Sequence, residues 1–101
     1  MAIEDIIEKA QQVANEEAKK KKLSITSIAL MEIREELGRN QKIVEDSLEK
    51  KERSSYDIYE SVVSLIEYAS KLAKDEGMDQ ISYSHMRTAM KKLCPTYWPF
   101  C

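Results

Sequence analysis

The chain has 101 residues, of which 34% are charged and 43% apolar, and it carries a net charge of −2. That size is one domain, and the balance is that of a folded protein with a heavily charged surface. An isoelectric point near 5.5 lacks the basic excess that supplies most of the affinity of phosphate binders, so nucleic acid is disfavoured as a partner without a local basic patch being excluded.

With two Gly and two Pro, breaks are few, and an all-α fold of helices joined by short loops is expected. No apolar run approaches the roughly 20 residues that span a bilayer, so no membrane contact is expected. The start, MAIEDIIEK, is acidic from its fourth residue and does not read as a secretory signal. Both cysteines fall in the last eight residues, too few and too close for a disulfide scaffold. The cytoplasm is the expected location.

In chain order, Ile3, Ile6, Ile7, Ala10, Val13 and Ala14 form one stripe on a first helix over 2–22. Glu4, Asp5 and Glu8 at its start and Lys19 to Lys22 at its end suit the helix dipole. Ser24 or Ser27 reads as the next N-cap. Ile25, Ile28, Ala29, Ile33 and Leu37 then share a face that Leu30 and Met31 widen, and Gly38 suits a C′ position. Residues 39–44 read as a connector, in which the β-branched Ile43 and Val44 favour a short extended piece.

Asp46 and Glu49 have capping-box spacing, and a continuous helix from Asp46 to Glu76 is favoured, about 46 Å long. The alternative is a separate helix starting at Ser54 or Ser55, because the stretch from Leu48 to Ser55 is almost wholly polar. Ile58, Tyr59, Val62, Val63, Leu65, Ile66, Ala69, Leu72 and Ala73 make the second half strongly apolar. Gly77 stops it. Ser82 or Ser84 then caps a last helix carrying Met86, Ala89, Met90 and Leu93, which Pro95 ends. The domain is thus 1–93, followed by an apolar aromatic tail at 94–101.

From Leu72 through Ser82 a long helix ends at a glycine and a β-type residue, Ile81, precedes a hydroxyl cap. With Met86 and the Ala89–Met90 pair beyond it, this stretch resembles the histone fold, and the resemblance covers residues 25–93. It implies a helix, a short loop, a long helix, a second loop and a short helix, here with an extra N-terminal helix. A plain four-helix bundle is the alternative architecture. The resemblance further implies an obligate dimer, with Ile43 and Ile81 in loops paired between subunits and Ile58 to Ala73 at a crossing of long helices. Histones often clamp the second loop to the last helix with an Arg and an Asp, and Met78 and His85 stand at those positions. Basic residues of that loop are replaced by Met78, Asp79 and Gln80.

His85 is the single histidine, and no nucleophile or ligand set stands at catalytic or metal-binding spacing from it. It reads as a helix-surface or cap residue, with a pH-sensitive contact as the sharper alternative. The isolated glycines form no phosphate cradle. No enzyme and no cofactor are expected. The function expected is a non-enzymatic interaction module, acting as a dimer or with another protein.

Its candidate contacts are Ile58, Val62, Leu65, Ile66, Ala69 and Leu72, with Tyr97, Trp98 and Phe100 of the tail. The tail reads as an apolar lid over the bundle, or as a docking peptide. A histone-like association with nucleic acid would use Lys19, Lys20, Lys21, Lys22, Arg39, Lys42, Lys50, Lys51 and Arg53. A third reading uses Cys94 and Cys101 as a disulfide, or as ligands of zinc or an iron–sulfur cluster in a dimer.

Overall fold

The structure, a computed structural model, describes residues 2–94 and 98–100. The expected all-α class is what the chain adopts. Five helices lie among the described residues: α1 (Ile3–Lys20), α2 (Ser27–Arg39), α3 (Gln41–Glu49), α4 (Ser55–Asp75) and α5 (Tyr83–Leu93). Two two-residue strands, β1 (Ser24–Ile25) and β2 (Gln80–Ile81), pair in parallel, Ser24 with Gln80 and Ile25 with Ile81.

The favoured continuous helix from Asp46 is not formed. Instead α3 ends at Glu49, Lys51 takes φ +59°, and α4 starts afresh behind Ser54. The reason is energetic: no residue between Glu49 and Ser55 is apolar, so a helix there would bury nothing. Asp57 accepts a hydrogen bond from the Ser54 N–H at 2.8 Å, completing a capping box at the new start. Residues 39–44 are likewise no connector. The chain turns at Asn40 and re-enters a helix at once, so that Val44 is fully buried while Ile43, expected in a paired loop, is 59% exposed.

Other boundaries shift slightly. The N-cap of α2 is Thr26, whose Oγ1 accepts from the Ala29 N–H at 3.2 Å. Gly38 lies inside α2 without positive φ, whereas Gly77 takes φ +72° as expected of a helix stop.

One chain buries its own core. Helix α4 packs against α1 and α5, and α2 packs against both of those. Ile6, Ile33, Leu37, Ile58, Leu65, Ile66, Ile81 and Met86 lie fully inside. Ala10, Ala14 and Ala18 of α1, with Ala69 and Ala73 of α4, are also buried, and such small side chains let helices approach closely.

A repeat runs through this architecture. Helix α1 ends with Leu23 N–H donating to the Ala18 carbonyl (2.9 Å) and Lys22 N–H to Lys19 (2.9 Å). Helix α4 ends identically, Met78 N–H donating to Ala73 (2.9 Å) and Gly77 N–H to Lys74 (2.9 Å). Both are Schellman turns. Each leads into one of the paired strands, then into a hydroxyl cap, Thr26 or Ser82, and a shorter helix. The unit α1–β1–α2 is therefore repeated as α4–β2–α5, and the strand pairing joins the two units.

Candidate functional site

Because β1 and β2 pair in register, the two helices that follow them start side by side. Thr26 N–H donates to the Ile81 carbonyl at 3.0 Å, and α2 and α5 leave this point packed together. Their contact is fastened by charge. Glu32, only 3% exposed, accepts from Arg87 Nη1 at 2.8 Å and from Arg39 Nη2 at 3.2 Å, and Glu36 accepts from both arginines. The hydrogen bonds to Glu36 and to Glu32 raise the Arg39 and Arg87 pKa values respectively, so both guanidiniums stay charged.

This pairing phases α2 so that Ala29, Ile33 and Leu37 face inward. Ile28 and Met31, expected on the core face, are instead 65% and 47% exposed, one turn apart on the outside. Tyr83, the first residue of α5, is 45% exposed beside the same strand ends. None of these three residues was among the contacts expected from the sequence. The signal was the Thr26 cap, which lies between the two serines read as candidate caps, two residues after Ser24 and one before Ser27.

The apolar residues of α4 are placed otherwise than expected. Ile58, Val62, Leu65, Ile66 and Ala69 are buried within their own chain, and Leu72 is half-buried, so they do not form a surface offered to a partner. Ile81 likewise finds its pairing partner, Ile25, in the same chain.

His85 is 2% exposed, a buried residue and not a surface one. Its Nδ1 accepts from the Ser82 N–H at 3.0 Å, the reaching-back arm of a capping box. That fixes the proton on Nε2, which donates to Glu76 Oε1 at 3.0 Å. Both ring nitrogens are thus engaged in holding the end of α4 to the start of α5.

Of the basic residues, Lys19, Lys20 and Lys22 are exposed at the end of α1 and Lys21 is half-buried; Arg39, Lys42, Lys50, Lys51 and Arg53 are exposed around α3. They form two groups, at the C-terminus of α1 and around α3. A crevice of about 780 Å³ opens between the start of α1, α3 and the connector to α4, floored by Ile3 and Ile6 and rimmed by Glu45, Glu49, Glu52 and Arg53.

In the tail, Pro99 and Phe100 are buried and Trp98 half-buried, as expected of a lid. Tyr97 and Cys101 lie outside the described residues, as does Pro95. Cys94 is disulfide-bonded. Among the described residues, no group of three His, Cys, Asp or Glu side chains is placed to hold a metal ion, and no helix is long and apolar enough to cross a membrane.

Compared with protein-family models, with curated proteins and with solved structures, the chain matches none.

Proposed function

We propose that this protein is a non-enzymatic interaction module of the cytoplasm whose partner is protein, in the first instance a second copy of itself. The observation that carries this reading is the exposure of Ile28, Met31 and Tyr83 at the joined starts of α2 and α5. Large apolar side chains exposed singly are common, but three at one end of a small domain are a recognition patch when they cluster. The histone-like resemblance over 25–93 also implies a dimer, but through paired loops and a crossing of long helices, whereas the contact proposed here is on α2 and α5.

Light scattering over a range of concentrations tests it. A dimer is expected for the natural chain and a monomer for the Ile28→Glu, Met31→Glu double variant, with unchanged helical circular dichroism. A natural chain that stays monomeric throughout overturns self-association.

A second reading, association with nucleic acid, draws on the exposure of Lys19, Lys20 and Lys22 on one turn. Its signature is binding at low salt that falls steeply as salt is added.

A further inference from the structure

Helix α5 ends at Leu93, and Cys94 leaves it in an extended conformation (φ −74°, ψ 155°). Residues 98–100 then lie against a different part of the protein. The Trp98 carbonyl accepts from Ser61 Oγ on α4 at 2.8 Å, and the Pro99 carbonyl accepts from Asn40 Nδ2, between α2 and α3, at 2.8 Å. The Arg53 guanidinium sits 5.2 Å from the centre of the Trp98 ring. Phe100 is 4% exposed and belongs to the main core cluster. Two hydrogen bonds to backbone carbonyls, the Arg53–Trp98 contact and the burial of Phe100 therefore seat this short segment as a strap over the corner where α2, α3 and α4 meet.

The strap is fastened at its other end by sulfur. Cys94 is disulfide-bonded, and its Sγ lies 3.6 Å from the Phe100 carbonyl oxygen, so the bridge holds the strap close to the end of α5. The one other cysteine in the sequence is Cys101. Phe100 and Trp98 join a core whose other members, from Ile6 to Met90, all belong to or adjoin the helices and the strand pair. A bond that restrains one short segment can open with local release of that segment while the rest of the fold persists.

We propose that the Cys94 disulfide is a redox clasp, which keeps Trp98–Phe100 seated when oxidised and lets the strap leave the α2–α3–α4 corner when reduced. A small dithiol of the dithiothreitol or thioredoxin type is the co-reactant. One of its thiolates attacks a sulfur of the bridge to give a mixed disulfide and a protein thiolate. Its second thiol displaces the other protein sulfur. Two electrons and two protons pass to the protein, which ends with two thiols, and the dithiol ends as its own disulfide. Without the bridge the strap loses a covalent restraint on its conformational freedom, and its seat must hold it by two hydrogen bonds, the Arg53–Trp98 contact and apolar packing alone. Its release would uncover the apolar seat of Phe100.

Trp98 is the only tryptophan, so its fluorescence reports the strap directly. The full chain, oxidised and then treated with dithiothreitol, is expected to show a red shift of emission with helical circular dichroism retained. Amide exchange at Phe100 should quicken by about tenfold or more while that of Ile66 in α4 stays slow. The Cys94→Ser variant should show the released behaviour with or without reductant; the natural chain needs no variant, so misfolding of Cys94→Ser leaves the test intact. Unchanged Trp98 emission and Phe100 exchange on reduction would overturn the clasp. So would loss of the helical signal, which would make the bridge a staple of the whole fold. Halving of the molar mass in denaturant on reduction would overturn it too, since the bridge would then join two chains.

Discussion

Lys22 and Gly77 occupy the same place in two copies of one turn, with φ of +61° and +72°. Each is the residue after the C-cap of a helix whose last carbonyls are satisfied by the same pair of backbone hydrogen bonds. A lysine there pays for its Cβ, at about 1–2 kcal/mol, where a glycine does not. Lys22→Gly is therefore expected to stabilise the protein by roughly 0.5–1 kcal/mol, the gain being reduced by the freedom glycine adds to the unfolded chain. Gly77→Ala should destabilise by about 1–2 kcal/mol. Urea midpoints at constant slope measure both, and a neutral Gly77→Ala would contradict the turn.

Gly38 presents the opposite case. It lies within α2 in ordinary helical conformation, and a Cβ built on it meets nothing within 4 Å. Gly38→Ala is expected to stabilise by about 0.5–1 kcal/mol through helix propensity alone. Thermal unfolding should show the gain as a higher Tm, and a lower one would mean that the site needs glycine for a reason outside its own helix.

His85 serves as the third residue of a capping box usually closed by Glu or Gln. His85→Ala leaves the Ser82 N–H without its side-chain acceptor and removes a buried ring, at an expected cost of about 2 kcal/mol. His85→Gln should recover part of that loss, because its amide oxygen can accept from the same N–H. Equal destabilisation by the two substitutions in chemical denaturation would show that ring packing, and not the cap, sets the cost.

Burial raises the pKa of the Tyr59 phenol, an effect that Asp5 reinforces and a hydrogen bond with Ser55 opposes. Lys9 Nζ lies 5.9 Å from the centre of its ring. A folded-state pKa above the unfolded one contributes stability that is complete below the ordinary tyrosine range and is lost as pH rises through the folded value. Ultraviolet titration should therefore find one phenol that ionises later than an unperturbed tyrosine, and Tyr59→Phe should remove that component. A profile unchanged by Tyr59→Phe would place the late phenol elsewhere.

How much of this was readable in advance follows from where each choice is decided. The all-α class was legible because two glycines, two prolines and three-and-four spacing of apolar residues act locally, within a turn or two of helix. Gly77 and Ser82 were legible for the same reason: a positive φ and an N-cap are satisfied by the residue itself and its near neighbours. The stripe of α1 showed which of its faces points inward, and the apolar tail was readable as a lid, whereas the second half of α4 was legible as apolar but was read as a partner contact and not as the core of its own chain.

What lay beyond the sequence depended on partners distant along the chain. Whether the polar stretch after Leu48 continues as helix depends on there being nothing for it to cover, and the break at Lys51 lets α3 turn and bury Val44. The rotation of α2 follows from its Thr26 cap and from Glu32 meeting Arg87 on α5; that rotation turned Ile28 and Met31 outward. The repeat was hidden because its halves share few identities: Lys22 stands opposite Gly77, and Ala10 lies where the second unit has the larger Leu65. Their likeness is in backbone hydrogen bonds and in the pairing of Ile25 with Ile81. Composition and spacing thus determined which residues form helices and which side chains avoid water. Only the tertiary structure decided which surfaces remain to meet a partner, because a face is left exposed by what packs elsewhere.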